Sequence, residues 1–161
     1  MSGSHIARAA LLSASLCLAG SAVLAAPVSP FSAMAGSWSG GGTLTMADGR
    51  AERLRCRASY DVGGGSTLSL NLRCASDSYN FNLRSDVEYQ GGAIRGSWSE
   101  SSRNASGTIS GQAKGDQILA SATGPNFAAN LSLVTHGNRQ TVSIRSAGTE
   151  ISGVSVTLSR H

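Results

Sequence analysis

From Trp38 to Leu158, apolar side chains occupy alternate positions of the chain, and short turn signals interrupt the pattern wherever it must reverse. A period of two is typical of β-strands that bury one face, because successive side chains point to opposite sides of a sheet. Short glycine- and asparagine-rich segments between such runs are typical of antiparallel hairpins. The pattern therefore predicts an all-β domain: an up-and-down antiparallel meander of ten strands joined by nine short turns.

The apolar face of such a meander must be covered. An open ten-strand sheet would leave it in water, whereas closure into a barrel buries it and removes both sheet edges. Glycines on the inward face favour the bending that closure requires; they are Gly40, Gly42, Gly96, Gly107 and Gly111. We expect one β-barrel domain over residues 36–161. The alternative is an outer-membrane barrel, but all the loops are short and the chain ends in Ser159-Arg160-His161 without a terminal aromatic residue.

The N-terminal segment predicts export. Arg8 precedes an apolar run over residues 9–24, and Val23-Leu24-Ala25 supplies the small residue that signal peptidase requires. We expect a signal peptide over residues 1–25, an irregular lead over residues 26–35, and a periplasmic or secreted location. A transmembrane anchor is the alternative; however, the run is short and interrupted by serine and glycine, so we expect no membrane span after cleavage.

Two hairpin registers follow from the turns. A three-residue loop with a left-handed Gly49 predicts Leu44 opposite Leu54 and Trp38 opposite Tyr60.

The next turn, centred on Gly65, places Cys56 directly opposite Cys74. Opposed residues of an antiparallel pair lie within disulfide range, and an exported chain meets oxidising conditions. We therefore predict a Cys56–Cys74 disulfide, with two buried thiols as the alternative. No histidine or further cysteine shares their face, so we expect no metal site.

Charge and motifs exclude several functional classes. The formal net charge is only +4, and the arginines fall on the face opposite the aromatic residues, so we expect no nucleic-acid binding. Neither a G-x-S-x-G elbow nor an H-E-x-x-H helix occurs, and Glu100 stands alone as an inward carboxylate at the rim of its strand. We expect neither enzymatic activity nor a cofactor.

The first strand opens with Gly36-Ser37-Trp38-Ser39-Gly40-Gly41-Gly42. This G-x-W-x-G-x-G resembles the calycin superfamily of lipocalins, fatty-acid-binding proteins and avidins, and is similar to nitrobindin-type ten-strand barrels. The resemblance implies a meander barrel in which Trp38 packs beneath an arginine of the last strand, Arg160 here. Nitrobindins ligate haem through a histidine; His136 and His161 do not occupy inward strand positions, so no haem is expected.

Two functional hypotheses remain. The first is a carrier of a small, neutral, apolar ligand, held between inward aromatic and small residues: Tyr79, Phe81, Tyr89, Trp98, Gly107, Gly111, Ala120, Ala122 and Ala129. The second is an envelope structural or protein-interaction module with a packed, ligand-free interior. Its candidate surface is the basic outer group Arg53, Arg55, Arg57 and Arg73.

Overall fold

The alternating pattern forms ten antiparallel strands that close into a barrel. The computed structural model describes residues 28–161, so the predicted signal peptide and its cleavage site lie outside the described residues. Each strand pairs with the next along the chain, and β1 pairs with β10. The strands are β1 Gly36–Met46, β2 Ala51–Gly63, β3 Thr67–Ala75, β4 Asn80–Gln90, β5 Ala93–Glu100, β6 Ala105–Lys114, β7 Gln117–Gly124, β8 Phe127–His136, β9 Arg139–Ser146 and β10 Ile151–Arg160.

The register between β2 and β3 is the predicted one. Cys56 lies opposite Cys74, with the two Cα atoms 4.1 Å apart, and the two residues form a disulfide with an S–S distance of 2.05 Å. Both predictions, the pairing and the bond, are confirmed.

The predicted register of the first hairpin is wrong by two residues. Trp38 pairs with Ala58, and Leu44 pairs with Glu52. The three-residue loop is closed by Met46, whose backbone N–H donates to the carbonyl of Arg50 over 2.8 Å. The turn is therefore centred on Asp48, whose side chain accepts the N–H of Arg50 over 3.0 Å. Moving the centre by one residue moves every pair by two, which leaves each side chain on its predicted face.

The apolar face of the sheet is the inner face of the barrel. Trp38, Leu44, Leu54 and Leu158 are at most 2% exposed. Among the described residues, only Val28 and Leu119 are large hydrophobic side chains exposed on the outside. Within residues 28–161, no helix is long and apolar enough to span a membrane.

A short plug closes one end of the barrel, which we call the closed end. The segment expected to be an irregular lead contains a 3-10 helix at Pro30–Ala33, whose N-terminus is capped by the Ser29 hydroxyl. Phe31 is fully buried and packs edge-on against Tyr89, with ring centroids 6.1 Å apart. Met34 is 1% exposed. The plug thus completes the core where the strands β1 and β10 meet.

Trp38 and Arg160 hold the plug in place. The Trp38 indole N–H donates to the carbonyl of Met34 over 2.7 Å. The Arg160 guanidinium carbon lies 4.7 Å from the centroid of the Trp38 ring, and its NH2 group donates to the carbonyl of Ala33. A cation over an indole face stabilises by about 0.5–2 kcal/mol, so this contact has a structural role.

A buried polar chain crosses the closed end beside the plug. The Tyr60 hydroxyl donates to Oε1 of Gln140 over 2.7 Å, and the Gln140 amide donates to Thr135 Oγ1 over 3.0 Å. Gln140 is 0% exposed, so both ends of its amide are satisfied without water. Burial raises the pKa of Tyr60 far above its ordinary value.

Candidate functional site

The interior of the barrel is packed unevenly along its axis. Around the plug, the inward side chains of Ile94, Ile118 and Leu133 are buried. Elsewhere in the barrel the burial of inward apolar residues is mixed. Leu44, Met46 and Leu54, at the end away from the plug, are at most 2% exposed. Others remain only partly buried: Leu70, Leu72, Leu83, Ile109, Leu131, Val142, Ile144 and Val154. Because neighbouring strands are hydrogen-bonded all the way round, the partial exposure of these inward side chains indicates that they are loosely packed inside the barrel.

The opposite end, which we call the open end, is rimmed by aromatic residues. Tyr79 precedes β4 and stacks on Phe81, with ring centroids 6.2 Å apart and planes 12° apart. Across the barrel, Trp98 packs on Phe127 at 5.3 Å. The partly buried inward residues between these pairs lead from the rim into the interior.

The predicted ligand-binding residues do not all meet at one place. Tyr79, Phe81, Trp98 and Ala122 lie in the half of the barrel near the open end, together with Gly107 and Ala129 in that same half. Tyr89 lies at the other end, against the plug residue Phe31. Gly111 and Ala120 pair with each other nearer the closed end, where Ala120 is 8% exposed. Of the residues in the open half, Tyr79, Phe81 and Ala122 are partly exposed, whereas Trp98 and Ala129 are buried.

The inward glycines of β6 accommodate close packing rather than adding room. A Cβ atom on Gly107 would lie 1.8 Å from the carbonyl oxygen of Thr123, and one on Gly111 would lie 2.3 Å from that of Leu119. The Trp98 indole lies over Gly107 and donates to the same Thr123 carbonyl over 3.2 Å. These glycines let the strands and the indole approach one another.

Glu100 organises the turn that borders the open end. Its side chain, predicted to stand alone, is buried and accepts the backbone N–H groups of Asn82, Ser102 and Arg103 over 2.8–3.0 Å. Burial acts to raise the pKa of Glu100, but these bonds and the Arg103 side chain outweigh burial and lower it. The Glu100 carboxylate thus has hydrogen-bond partners at both oxygens and stabilises the turn.

Arg103 is a rim residue that sequence reasoning missed. Its guanidinium carbon lies 4.6 Å from the Phe81 ring centroid, and NH1 lies 3.2 Å from both Glu100 Oε2 and the carbonyl of Asn80. Arg103 belongs to the turn between β5 and β6, where strand parity gives no direction for a side chain. No signal in the sequence identifies it.

The histidines lie outside the interior. His136 is exposed and its ring nitrogen lies 3.4 Å from Asp116, whereas His161 is hydrogen-bonded to the Ser39 hydroxyl on the outer surface. Within residues 28–161, no group of three or more His, Cys, Asp or Glu side chains is placed to hold a metal ion. Arg53, Arg55 and Arg57 project outward as well.

Comparisons with known proteins identify the fold. No family model and no curated protein matches the chain. Among solved structures, Rv2717c from M. tuberculosis superposes with a TM-score of 0.63 at 15% identity, covering 81% of this chain and 94% of that one. The S-type phycobiliprotein lyase CPES from Guillardia theta superposes with a TM-score of 0.60 at 10% identity, covering 81% and 90%. The shared β-barrel fold is consistent with the calycin-like barrel that the sequence predicts. At these identities the likeness shows the fold alone.

Proposed function

We propose that the protein is an exported binder or carrier of a small, neutral, apolar molecule, held inside the open half of the barrel. The observation that supports this proposal most directly is the incomplete burial of inward apolar residues such as Leu72, Ile109 and Leu131, inside a barrel whose strands are paired all the way round. Ligand pockets are mostly apolar, and the partly buried side chains of this half are apolar as well.

The charges of the interior favour a neutral ligand. The inward charged groups of the described barrel already have partners. Arg160 contacts Trp38 and the plug, Glu100 accepts backbone N–H groups, and Glu52, at the rim, accepts the backbone N–H of Ser78. Among the described residues, the one buried side-chain donor without a partner is Nε of Arg160, which lies at the plug. A charged head group in the open half would therefore lose its hydration without gaining a free partner, at a cost of several kcal/mol. An uncharged apolar molecule has no such cost.

The competing hypothesis is an interaction module with a packed interior. It expects inward leucines and valines along the whole barrel to be buried like Leu44 and Leu54, which are 0% and 1% exposed. The partial exposure of Leu131 and Val142 favours the carrier. The Cys56–Cys74 disulfide is compatible with export, which the carrier proposal includes.

A matched pair of variants tests the proposal. Ala122 points into the open half of the barrel, whereas Ala128 lies on the outer face of β8, one strand away and exposed. Ala122→Phe adds a ring to the interior, and Ala128→Phe adds the same ring to the surface. The probe is Nile red, a neutral apolar dye whose fluorescence rises in apolar surroundings.

We expect saturable Nile red binding by the wild type and by Ala128→Phe, and at least about tenfold weaker binding by Ala122→Phe, because the added ring occupies the ligand's volume. Thermal melts and circular dichroism check that both variants fold. The carrier proposal fails if the wild type binds no dye, or if a folded Ala122→Phe binds it as tightly as Ala128→Phe does.

A further inference from the structure

The outside of the barrel carries a concave, basic surface separate from the interior. A groove of about 1230 Å³ runs over the outer faces of β1 to β5, and its guanidinium groups are those of Arg57, Arg73 and Arg84. A second hollow of about 610 Å³ shares Arg57 and Arg73 and extends to Arg55. We call the two together the outer groove.

The arginines of the outer groove are not neutralised by neighbouring carboxylates. Arg57 lies directly opposite Arg73 in the β2–β3 ladder, and like charges in that relation repel each other. Among residues 28–161, the side-chain ion pairs all lie elsewhere: Arg50–Asp48, Arg103–Glu100 and His136–Asp116.

The carboxylates nearest to these arginines on the same face lie towards the closed end. Asp61 pairs with Ser69 in the ladder, and Asp86 accepts the Ser69 hydroxyl over 2.5 Å. The positive potential of the groove therefore remains available to an external anion.

The Cys56–Cys74 disulfide holds Arg57 and Arg73 opposite each other. Cys56 and Cys74 are the neighbouring ladder pair and point inward, so their bond clamps the two strands one residue away from Arg57 and Arg73. A cross-link at this position maintains the register against the repulsion of the two guanidinium groups. The arginine pair is thus pre-organised to receive an anion, which lowers the ordering cost of binding.

The other groups of the groove indicate what kind of anion fits. Between the arginines lie hydroxyl and amide side chains, among them Ser59, Asn71, Asn82 and Ser99. Trp38 and Phe81 border the groove, but their strand positions direct both rings into the barrel, which leaves the terminal His161 as the ring on the outer face. Bound single-stranded nucleic acids stack successive bases on several such rings. The closed barrel offers no free strand edge here, so an extended acidic peptide could not pair its backbone with the sheet.

We propose that the outer groove binds an anionic polysaccharide. The guanidinium groups would pair with its acidic groups, since arginine matches a carboxylate with two parallel hydrogen bonds. The serine and asparagine side chains would exchange hydrogen bonds with its hydroxyl groups. A polyhydroxylated anion satisfies both kinds of group at once. This site is on the opposite side of the sheet from the apolar interior and does not depend on the carrier proposal.

The test measures binding of a decameric oligogalacturonate by isothermal titration calorimetry. Arg57→Ser/Arg73→Ser removes the opposed pair, and Arg139→Ser/Arg145→Ser removes two exposed arginines from the outer face of β9, outside the groove. Both double variants change the net charge equally. We expect about tenfold weaker binding for the first and less than about twofold for the second.

A single variant controls for the possibility that Arg57→Ser/Arg73→Ser does not fold. Arg73→Glu replaces the repelling pair with an opposite-charge pair facing Arg57, so it should keep the fold and still weaken oligogalacturonate binding. Unchanged binding in both groove variants, or equal losses in the β9 control, would overturn the assignment. Decamers of polyglutamate and of thymidylate are the comparison probes; tighter binding of either one than of the glycan would reassign the groove to that class.

Discussion

Gly107→Ala should destabilise the barrel strongly, although it adds a single methyl group at a position where the sequence predicts open space. The new Cβ would lie 1.8 Å from the carbonyl oxygen of Thr123 and 2.8 Å from Nε1 of Trp98. The first of these atoms is backbone of the neighbouring strand, which rotation of a side chain cannot relieve. β6 and β7 must separate locally, or the strand must twist differently, to admit the methyl group.

The magnitude follows from two effects. Overpacking of a well-packed site costs about 1–3 kcal/mol. The same displacement lengthens the bond between the Trp98 indole and the Thr123 carbonyl, now 3.2 Å, and a lost hydrogen bond costs about 0.5–1.5 kcal/mol. We therefore expect the free energy of unfolding to fall by about 2–4 kcal/mol. At about 4 °C per kcal/mol for a domain of this size, Tm should fall by about 8–16 °C.

Gly153→Ala is the matched control. A Cβ on Gly153 would lie 3.5 Å from the carbonyl oxygen of Ile144, an ordinary contact, in strand β10. Its free energy of unfolding should change by less than about 1 kcal/mol, since the loss of unfolded-state entropy slightly favours alanine. Urea unfolding of the two variants, with Tm by circular dichroism, measures the difference. If Gly107→Ala is as stable as Gly153→Ala, the close approach of β6 to β7 is wrong and the glycine does leave space.

Three further predictions follow from the core. Replacing both Cys56 and Cys74 by serine should lower the free energy of unfolding, measured by chemical denaturation, by about 3 kcal/mol, because the bond closes a loop with a sequence separation of 18. Non-reducing peptide mapping of the wild type should recover the disulfide-linked peptides. Trp38→Ala should cost about 3–5 kcal/mol, whereas the exposed His136→Ala should leave Tm unchanged; equal melting temperatures would contradict the packing of Trp38 under the plug. The pKa of Tyr60 is raised in the folded state, so the unfolded chain loses this proton first as the pH rises. The free energy of unfolding should therefore fall above about pH 10, by up to about 1.4 kcal/mol per pH unit. If a Tyr60→Phe variant shows the same pH dependence in urea titrations, Tyr60 is not its origin.

Strand faces were predictable from the sequence because parity is a local property. Leu68, Leu70 and Leu72 reveal one face of β3 without reference to any other strand, and the same rule places Arg160 inward on β10. The disulfide followed once the Gly65 turn was centred correctly, since Cys56 and Cys74 then coincide in the ladder. Closure followed from the need to cover ten half-apolar strands.

The positions of turns and of short helical segments were predicted less well than the strand faces. The Asp48 side chain, which caps the N–H of Arg50, selects a loop one residue earlier than the sequence suggests. The plug at Pro30–Ala33 escaped prediction because four residues carry no periodicity, and the burial of Phe31 depends on a barrel end that only the closed fold creates.

The candidate site was predictable by face but not by position along the barrel axis. Tyr79 and Tyr89 share an inward parity, yet they lie at opposite ends of the barrel, one stacked on Phe81 at the rim and the other packed on the plug residue Phe31. The alternation of apolar and polar residues along a strand predicts which side chains point inward. It does not predict which of the inward side chains contact the plug. The alternation also gives no direction for the Arg103 side chain, because Arg103 lies in a turn.

The wall of the barrel is one residue thick, so adjacent residues of β2 and β3 serve different surfaces. Cys56 and Ala58 face the interior, whereas Arg57 between them faces the outer groove. Substitutions on β7 that fill the interior leave the arginine pair untouched, and substitutions of the arginines leave the interior volume untouched. The two proposed sites are therefore separable by single-face variants. The groove covers the outer faces of β1 to β5, and the inner faces of the same strands line the barrel, so any coupling between the two sites can pass through all five strands. We expect loss of the Cys56–Cys74 bond to affect both surfaces, because β2 and β3 contribute to each.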